Sequence, residues 1–383
     1  MNESSSIQLS KKALKNNIDF IKSRLGDNSE FVSIIKGNAY GHGIEKFVPM
    51  SYELGVKSFG VFTGFEAAIA LKSLENFDRL LIMGYIDNAE LEWAIENDIE
   101  FYVFDTDRLN AAIIAALKLK KKAKIHLEVE TGMNRTGFGD KDLKRALGMI
   151  TDNLDSLEIE GFCSHLAGAE NIANHYRITR QIAKFSRLRK KLNEKGIGYK
   201  KAHLACSAAV MNYPKTIHDL ARVGILQYGF WPSKETKMGY CVKNKFPDDP
   251  LDQVLSWKSK VMSLKSVKAG EYVGYGTSLL AEQDMKIATV PVGYADGFSR
   301  SLSNQGKVLI GGQRMDVVGI VNMNMVVVEV TNLEGVKRGD EVVLIGKQQD
   351  KQITVSSFSD LSSQLNYELL TRLPINIPRK IVD

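Results

Sequence analysis

The chain lacks any apolar run approaching the roughly 18 residues that a membrane-spanning helix requires, which excludes a helical membrane protein. It also lacks a signal-peptide pattern. Met1-Asn2-Glu3-Ser4-Ser5-Ser6 offers neither a basic segment nor an apolar one, so a cytoplasmic protein is expected. Cysteine is scarce: Cys163, Cys206 and Cys241 are three in number and stand in no metal-ligand spacing, so reduced thiols and no metal site are expected. An excess of one charge is lacking too, because 51 basic residues face 45 acidic ones for a net charge of +6. The one dense basic cluster, Lys118, Lys120, Lys121, Lys122 and Lys124, has no interleaved aromatics. It reads as a solvated helix end, and no nucleic-acid partner is expected. No G-x-G-x-x-G follows an early strand, so a dinucleotide-binding fold loses its main support. There is no low-complexity segment.

What is present, over 383 residues, exceeds one ordinary core, so two domains are expected. Ser10 reads as the N-cap of a helix whose apolar face is Leu14, Ile18, Ile21 and Leu25, ending at Gly26. Short apolar runs then follow at Phe31 to Ile35, Ser58 to Phe62, Leu80 to Met83, Phe101 to Phe104, Ile125 to Val129, Ile159 to Cys163, Ala202 to Ala205 and Val223 to Leu226. Helical patterns lie between most of them, such as Asn110 to Leu119 and Ala173 to Leu192. Eight such alternations predict an α/β fold, a (β/α)8 TIM-type barrel over residues 1–235. The polar stretch Pro232 to Pro250, with three prolines, reads as a connector. Beyond it, β-branched runs bounded by glycine predict a mainly antiparallel β domain over residues 236–383: Ile287 to Val292, Lys307 to Ile310, Val317 to Val321, Val326 to Val330 and Glu341 to Ile345.

The most informative stretch is Phe31 to Gly43, FVSIIKGNAYGHG. Its apolar start is a buried strand, so Lys36 stands at a strand end, where the loops of a barrel build active sites. By itself a lysine in a turn is ordinary. The whole segment, however, resembles the signature K-[AG]-N-A-Y-G-H-G of the alanine racemase family, in which the lysine covalently carries pyridoxal phosphate (PLP). Further segments are similar to motifs of that family, in its order. HLEVETGMNRTG, from His126 to Gly137, resembles H-[LV]-K-[VI]-D-T-G-M-x-R-x-G, and implies that Arg135 contacts the substrate carboxylate and the catalytic tyrosine. Glu128 departs from the pattern, since family members often carry a carbamylated lysine there. A glutamate supplies a carboxylate directly, so Glu128 is expected to orient Arg135 without carbon dioxide.

Ser164-His165-Leu166-Ala167 resembles the segment whose histidine stacks on the pyridine ring, which makes His165 a supporting candidate. His203-Leu204-Ala205-Cys206-Ser207-Ala208-Ala209 resembles H-x-A-N-S-A-A, with Cys206 in place of asparagine. Ser207 there precedes a helix start that can hold phosphate, and His203 is a supporting residue. Arg222-Val223-Gly224-Ile225-Leu226-Gln227-Tyr228-Gly229 matches R-[PV]-G-[IL]-x-x-Y-G. The resemblance points Arg222 at the pyridine nitrogen of PLP, leaving that nitrogen unprotonated and the cofactor a weaker electron sink. Gly224 and Ile225 are expected to offer backbone amides to the phosphate.

In the β domain, Gly274-Tyr275-Gly276-Thr277 resembles the segment bearing the catalytic tyrosine, and Gly293-Tyr294-Ala295-Asp296-Gly297 a further motif. Asn366-Tyr367-Glu368 resembles the late N-Y-E whose tyrosine binds phosphate, and Tyr40 lies in the loop after Lys36. Asn322-Met323-Asn324 replaces [SC]-M-D; Met323 retains a backbone amide for a substrate carboxylate, but Asn324 removes a negative charge. The resemblance implies a PLP-dependent racemase interconverting L- and D-alanine, supplying D-alanine for peptidoglycan. Lys36 and Tyr275 would be its two bases, in a head-to-tail homodimer with shared active sites. The departures at Cys206 and Asn324 keep open a racemase of serine, lysine or arginine. A non-catalytic PLP-binding barrel protein of cofactor homeostasis is the reading from a different class.

Overall fold

The computed structural model describes residues 3–245, 248–362 and 366–383. The chain divides into two compact units, one comprising residues 13–36 and 48–252, the other residues 1–12, 37–47 and 253–383. This division differs from boundaries drawn at 1–235 and 236–383. The first strand, β1 (Ser5–Ser10), pairs antiparallel with a strand at 255–260 and parallel with one at 379–382, so its hydrogen bonds place it in the β unit.

The larger unit is built on eight parallel strands: β2 (Glu30–Ile34), β3 (Ser58–Thr63), β4 (Arg79–Tyr85), β5 (Glu100–Val103), β6 (Ala123–Glu128), β7 (Leu157–Cys163), β8 (Lys201–His203) and β9 (Leu220–Val223). Their order is β8-β7-β6-β5-β4-β3-β2-β9. The ring closes between β8 and β9 through Asp219 N–H to Ala202 O (3.1 Å), Arg222 N–H to Ala205 O (3.0 Å) and a parallel bridge from Cys206 to Arg222. Helices connect the strands because the sequence switches period there. The first, Lys11–Leu25, buries Leu14, Ile18, Ile21 and Leu25 and stops at Gly26, whose φ of +70° ends the helix in the left-handed region. Each of those side chains contributes roughly 1.5–3 kcal/mol by leaving water.

Two expectations need correction. The last barrel strand is Leu220–Val223; Ile225–Tyr228 is a 3-10 turn, because Gly224 breaks the strand with φ −104° and ψ −94°. The stretch Pro232 to Pro250, whose Pro247 lies outside the described residues, is not merely a connector. It holds a helix, Lys234–Lys243, started by Ser233, whose hydroxyl accepts from Thr236 N–H at 3.0 Å.

The β unit contains β10 (Leu255–Lys260), β11 (Ser263–Val267), β12 (Met285–Val290), β13 (Lys307–Ile310), β14 (Gln313–Val318), β15 (Val326–Glu329), β16 (Glu341–Gln348), β17 (Lys351–Ile353) and β18 (Arg379–Val382). With β1 they form one sheet, antiparallel except where β1 meets β18. Its interior is formed by Trp257, Phe298, Val308, Val317, Val326, Val328 and Leu344, all essentially inaccessible to solvent. The loop 37–47, which follows Lys36, belongs to this unit. Among the described residues, no helix is long and apolar enough to cross a membrane.

Candidate active site

Lys36 follows the end of β2, and three bonds fix that end. Ile34 O accepts from Tyr228 Oη–H (2.9 Å) and Gln227 Nε2–H (3.0 Å), and Ile35 N–H donates to Gly60 O (2.8 Å). Gln227 is fully buried and also takes the Ser33 hydroxyl on its Oε1 at 2.7 Å. Tyr228 and Gln227 therefore position the lysine. The family motif specifies Tyr228 but leaves position 227 open, and the polar tips of neither could be traced to Ile34 from spacing alone.

The ammonium of Lys36 is crowded by other atoms although its surface is open to solvent. Desolvation lowers its pKa, as do the charges of Arg135 and Arg222; Glu66 opposes them. A lowered pKa makes a lysine amine available as a base or nucleophile. Beyond Lys36 the chain makes a left-handed turn, with φ of +62° at Gly37, +54° at Asn38, +54° at Ala39 and +50° at Tyr40. Such a run in L-residues costs about 1–2 kcal/mol per non-glycine position. Bonds within the β unit hold it: Gly43 N–H to Asn38 O (2.9 Å), Ile44 N–H to Asn38 Oδ1 (3.0 Å) and Arg379 Nη2–H to Gly41 O (2.9 Å).

Arg222, on β9, is buried. Nη1 donates to His203 Nδ1 and His203 O, and Nη2 to Ser164 O (2.8 Å) and Leu204 O (3.4 Å). Among the described residues this leaves Nε–H as the guanidinium donor without a protein acceptor, suited to an unprotonated ring nitrogen. His203, the last residue of β8, is fully buried, and burial together with Arg222 keeps its pKa well below the ordinary value. His165 follows β7, and its pKa is lowered to about 3 by burial, then by Arg222, Arg135 and Lys36. Both imidazoles are neutral.

Glu128, the last residue of β6, is buried. Desolvation raises its pKa, while a hydrogen bond from Thr136 and the charges of Arg222 and Arg135 oppose the rise. Its hydrogen-bond partner is thus Thr136, one residue beyond Arg135. Arg135 itself is exposed in the loop after β6. Tyr102 and Cys163 pack together with Leu81; the sequence marks Cys163 only as a reduced thiol and Tyr102 not at all.

Ser207 begins a short helix, Ser207–Asn212, and its hydroxyl accepts the Gly224 N–H at 2.9 Å. The Gly224 amide therefore has a protein partner here. Its neighbour Ile225 opens the 3-10 turn Ile225–Tyr228, where first-turn amides have no partner within the turn. The Ser207 hydroxyl retains its own proton to donate. Two element N-termini, a buried arginine and an amine of lowered pKa form a donor set that fits an anionic pyridoxal phosphate. Among the described residues no cluster of metal ligands exists.

The remaining candidates gather on the β unit. Tyr40 is buried, with its ring 6.0 Å from that of Tyr367 on the helix Asn366–Thr371. Tyr294 N–H donates to Asn322 O (3.0 Å) and Ala295 N–H to Met323 O (2.9 Å), so the Tyr294 turn and the Met323 loop share one edge. Tyr275 is 72% exposed in a turn made possible by Gly274 (φ +74°) and Gly276 (φ +67°), and Met323 is also exposed.

Comparison with known proteins agrees with this geometry. Sequence profiles described as alanine racemase, N-terminal domain, and alanine racemase, C-terminal domain, match residues 9–232 and 254–381. The chain is 33% identical over 384 residues to the alanine racemase of Leptospira interrogans serovar Lai, covering 99% of this chain and 96% of that protein. Alanine racemase of Clostridium difficile 630 superposes with a TM-score of 0.91 at 27% identity, covering 100% and 96% of the two chains. Alanine racemase of Bartonella henselae, solved with covalently bound pyridoxal phosphate, does so with a TM-score of 0.85 at 26% identity, covering all of both chains. Two profiles spanning the barrel and the β unit, on a barrel whose mouth carries Lys36 and Arg222, place this chain in the alanine racemase family.

Proposed function

We propose that the protein is a PLP-dependent racemase that interconverts L- and D-alanine, the amino acid for which its relatives are named. The single observation that carries the reading is the meeting at one barrel mouth of Lys36, with its lowered pKa, and Arg222, with its locked guanidinium. Lys36 would hold the cofactor covalently, Ser207 and Ile225 its phosphate, with Tyr40 and Tyr367 beside it. Arg222 Nε–H would face its ring nitrogen, and neutral His165 would pack against the ring. When bound, pyridoxal phosphate acidifies the Cα–H of an attached amino acid by withdrawing electrons.

The protein's own groups then move the proton. Inverting Cα requires removal from one face and return on the other, hence two bases. Lys36 Nζ serves one face. Tyr275 Oη serves the other, with Arg135 holding the substrate carboxylate and the Met323 amide assisting. Because Arg222 keeps its proton, its Nε–H would donate to the ring nitrogen and leave that nitrogen unprotonated, which would temper the electron withdrawal. Tyr294 and Tyr367 narrow the approach to small side chains. Glu128 supplies Arg135 with a carboxylate neighbour.

In this reading the assembly is a head-to-tail homodimer in a cytoplasmic setting, Tyr275 of one subunit serving Lys36 of the other, and the D-alanine made feeds peptidoglycan synthesis. Mixing Lys36→Ala and Tyr275→Phe subunits tests the shared site. Activity returns if a mixed dimer holds one intact site, and stays absent despite demonstrated exchange if both bases belong to one chain. The function itself is tested by incubating the PLP-loaded protein with single L-amino acids and resolving the enantiomers. L-Alanine should reach an equal mixture far faster than serine, lysine or arginine; a faster conversion of one of those would reassign the substrate.

A further inference from the structure

Behind Arg222 a line of buried polar side chains crosses the interior of the barrel, and its chemistry leaves one arrangement of protons. Arginine only donates, so His203 Nδ1, which faces Arg222 Nη1, must accept. The neutral ring then carries its proton on Nε2, 2.8 Å from His126 Nδ1. The same rule passes along: His126 Nδ1 accepts, and its Nε2–H donates to Glu100 Oε2 at 2.5 Å. Glu100 as a carboxylate only accepts, and the same oxygen takes a second bond from Arg79 Nε at 2.7 Å. His126 and His203 are fully buried, and Glu100, Arg79 and Arg222 nearly so. The far end is braced by carboxylates: Glu30 bonds to Arg79, and Glu160 lies 3.8 Å from it.

The line therefore runs between two permanent cations and contains one acceptor-only group. A doubly protonated His126 would require His203 Nε2 to accept and would turn His203 Nδ1–H onto Arg222, donor against donor. The opposite tautomers fail in the same place. We propose that Glu100 is a positioning residue for the reaction, which through His126 fixes the tautomer of His203 and so holds the Arg222 guanidinium in register with the cofactor ring nitrogen. This rests on the PLP-racemase reading. Glu100 touches neither cofactor nor substrate, and acts from the third position behind Arg222. Burial alone would raise the Glu100 pKa, but His126 and Arg79 outweigh it and keep the group ionised.

Neutron diffraction from crystals of the perdeuterated, PLP-loaded protein reads the protons directly. The expected map shows deuterium on Nε2 and none on Nδ1 of both His126 and His203, with a bare Glu100 carboxylate. Deuterium on Nδ1 of either ring overturns the proposal. Glu100→Gln keeps the shape but removes the charge that anchors the line. Its kcat for alanine should fall roughly tenfold with KM little changed, as for other outer-layer partners, and the visible absorption of bound PLP should shift. A folded variant with the parent's kcat and spectrum would reduce Glu100 to a structural brace. Should Glu100→Gln fail to fold, His126→Asn, which breaks the same line one step nearer Arg222, carries the test: the same loss of kcat and spectral shift are expected, and the parent's kcat and spectrum would overturn the proposal. A parent protein that turns over no amino acid would sink the racemase reading, while the map would still report on the line.

Discussion

Glu128 illustrates how a single residue can be set against stability for the sake of charge. Its folded-state pKa is raised, chiefly by desolvation, so folding favours the protonated form. Whatever it contributes is complete below the ordinary glutamate pKa and is lost as pH rises through the raised value. At pH 8 the buried carboxylate is thus a cost, retained in this reading because Arg135 needs an anionic neighbour. Glu128→Gln should melt a few degrees higher than the parent at pH 8, with the difference shrinking toward pH 4, while turnover falls about tenfold. Calorimetry and racemisation assays on the same preparations check this, and added bicarbonate should change neither. A variant as active as the parent would leave Glu128 without a part in the site.

The buried imidazoles act with the opposite sign. His42 and His165 have pKa values lowered to about 3, and that of His203 is also lowered, in each case mainly by burial. The unfolded chain binds these protons near pH 6.5 and the folded chain does not. The stability they contribute is present above that pH and is lost as pH falls toward about 3, at about 1.4 kcal/mol per pH unit for each ring. Denaturant unfolding at pH 7, 6 and 5 should show His165→Gln losing stability less steeply than the parent, by close to one proton. Equal slopes would mean that His165 is already protonated in the folded protein.

Among the elements, the left-handed turn after Lys36 is the one whose geometry spacing could not reveal. Its glycines mark an irregular loop, but Asn38, Ala39 and Tyr40 are ordinary L-residues that adopt positive φ only because their surroundings compel it. Gly41 shows the constraint. A Cβ there would lie 1.9 Å from Leu370 O, and Arg379 holds its carbonyl. Gly26 has a similar φ, but a Cβ there would meet nothing within 4 Å. Gly26→Ala should therefore cost only the backbone strain, about 1–2 kcal/mol, whereas Gly41→Ala should cost about 3 kcal/mol or more and reduce activity by displacing the loop. Comparable melting temperatures for the two variants would remove the steric argument. The turn 225–228 was misread for a related reason. Val223-Gly224-Ile225-Leu226 is apolar throughout, and periodicity cannot tell a strand from a buried 3-10 turn.

At the scale of the molecule, the alternation of short, largely buried strands and amphipathic helices made the barrel legible, because most of the barrel strands carry an apolar stretch such as Phe31–Ile34 or Leu80–Ile82. The pairing of β1 with β10 and β18 was not legible. Ser5–Ser10 alternates buried and half-buried residues in a sequence rich in serine, and its partners lie about 250 and 370 residues away. The same holds for the site. Lys36, Arg222 and Ser207 could be read from local motifs, whereas the Glu100 end of the buried line could not, since nothing near Glu100 in sequence signals His126. The central proposal is that Lys36 of one subunit and Tyr275 of another serve opposite faces of one carbon. The most direct measurement uses Tyr275→Phe, loaded with pyridoxal phosphate, in deuterium oxide with L- and D-alanine supplied separately. The account predicts that racemisation is lost in both directions while Cα deuterium exchange persists for the one enantiomer whose hydrogen faces Lys36. Racemisation at the parent's rate, or exchange that persists equally for both enantiomers, would contradict it.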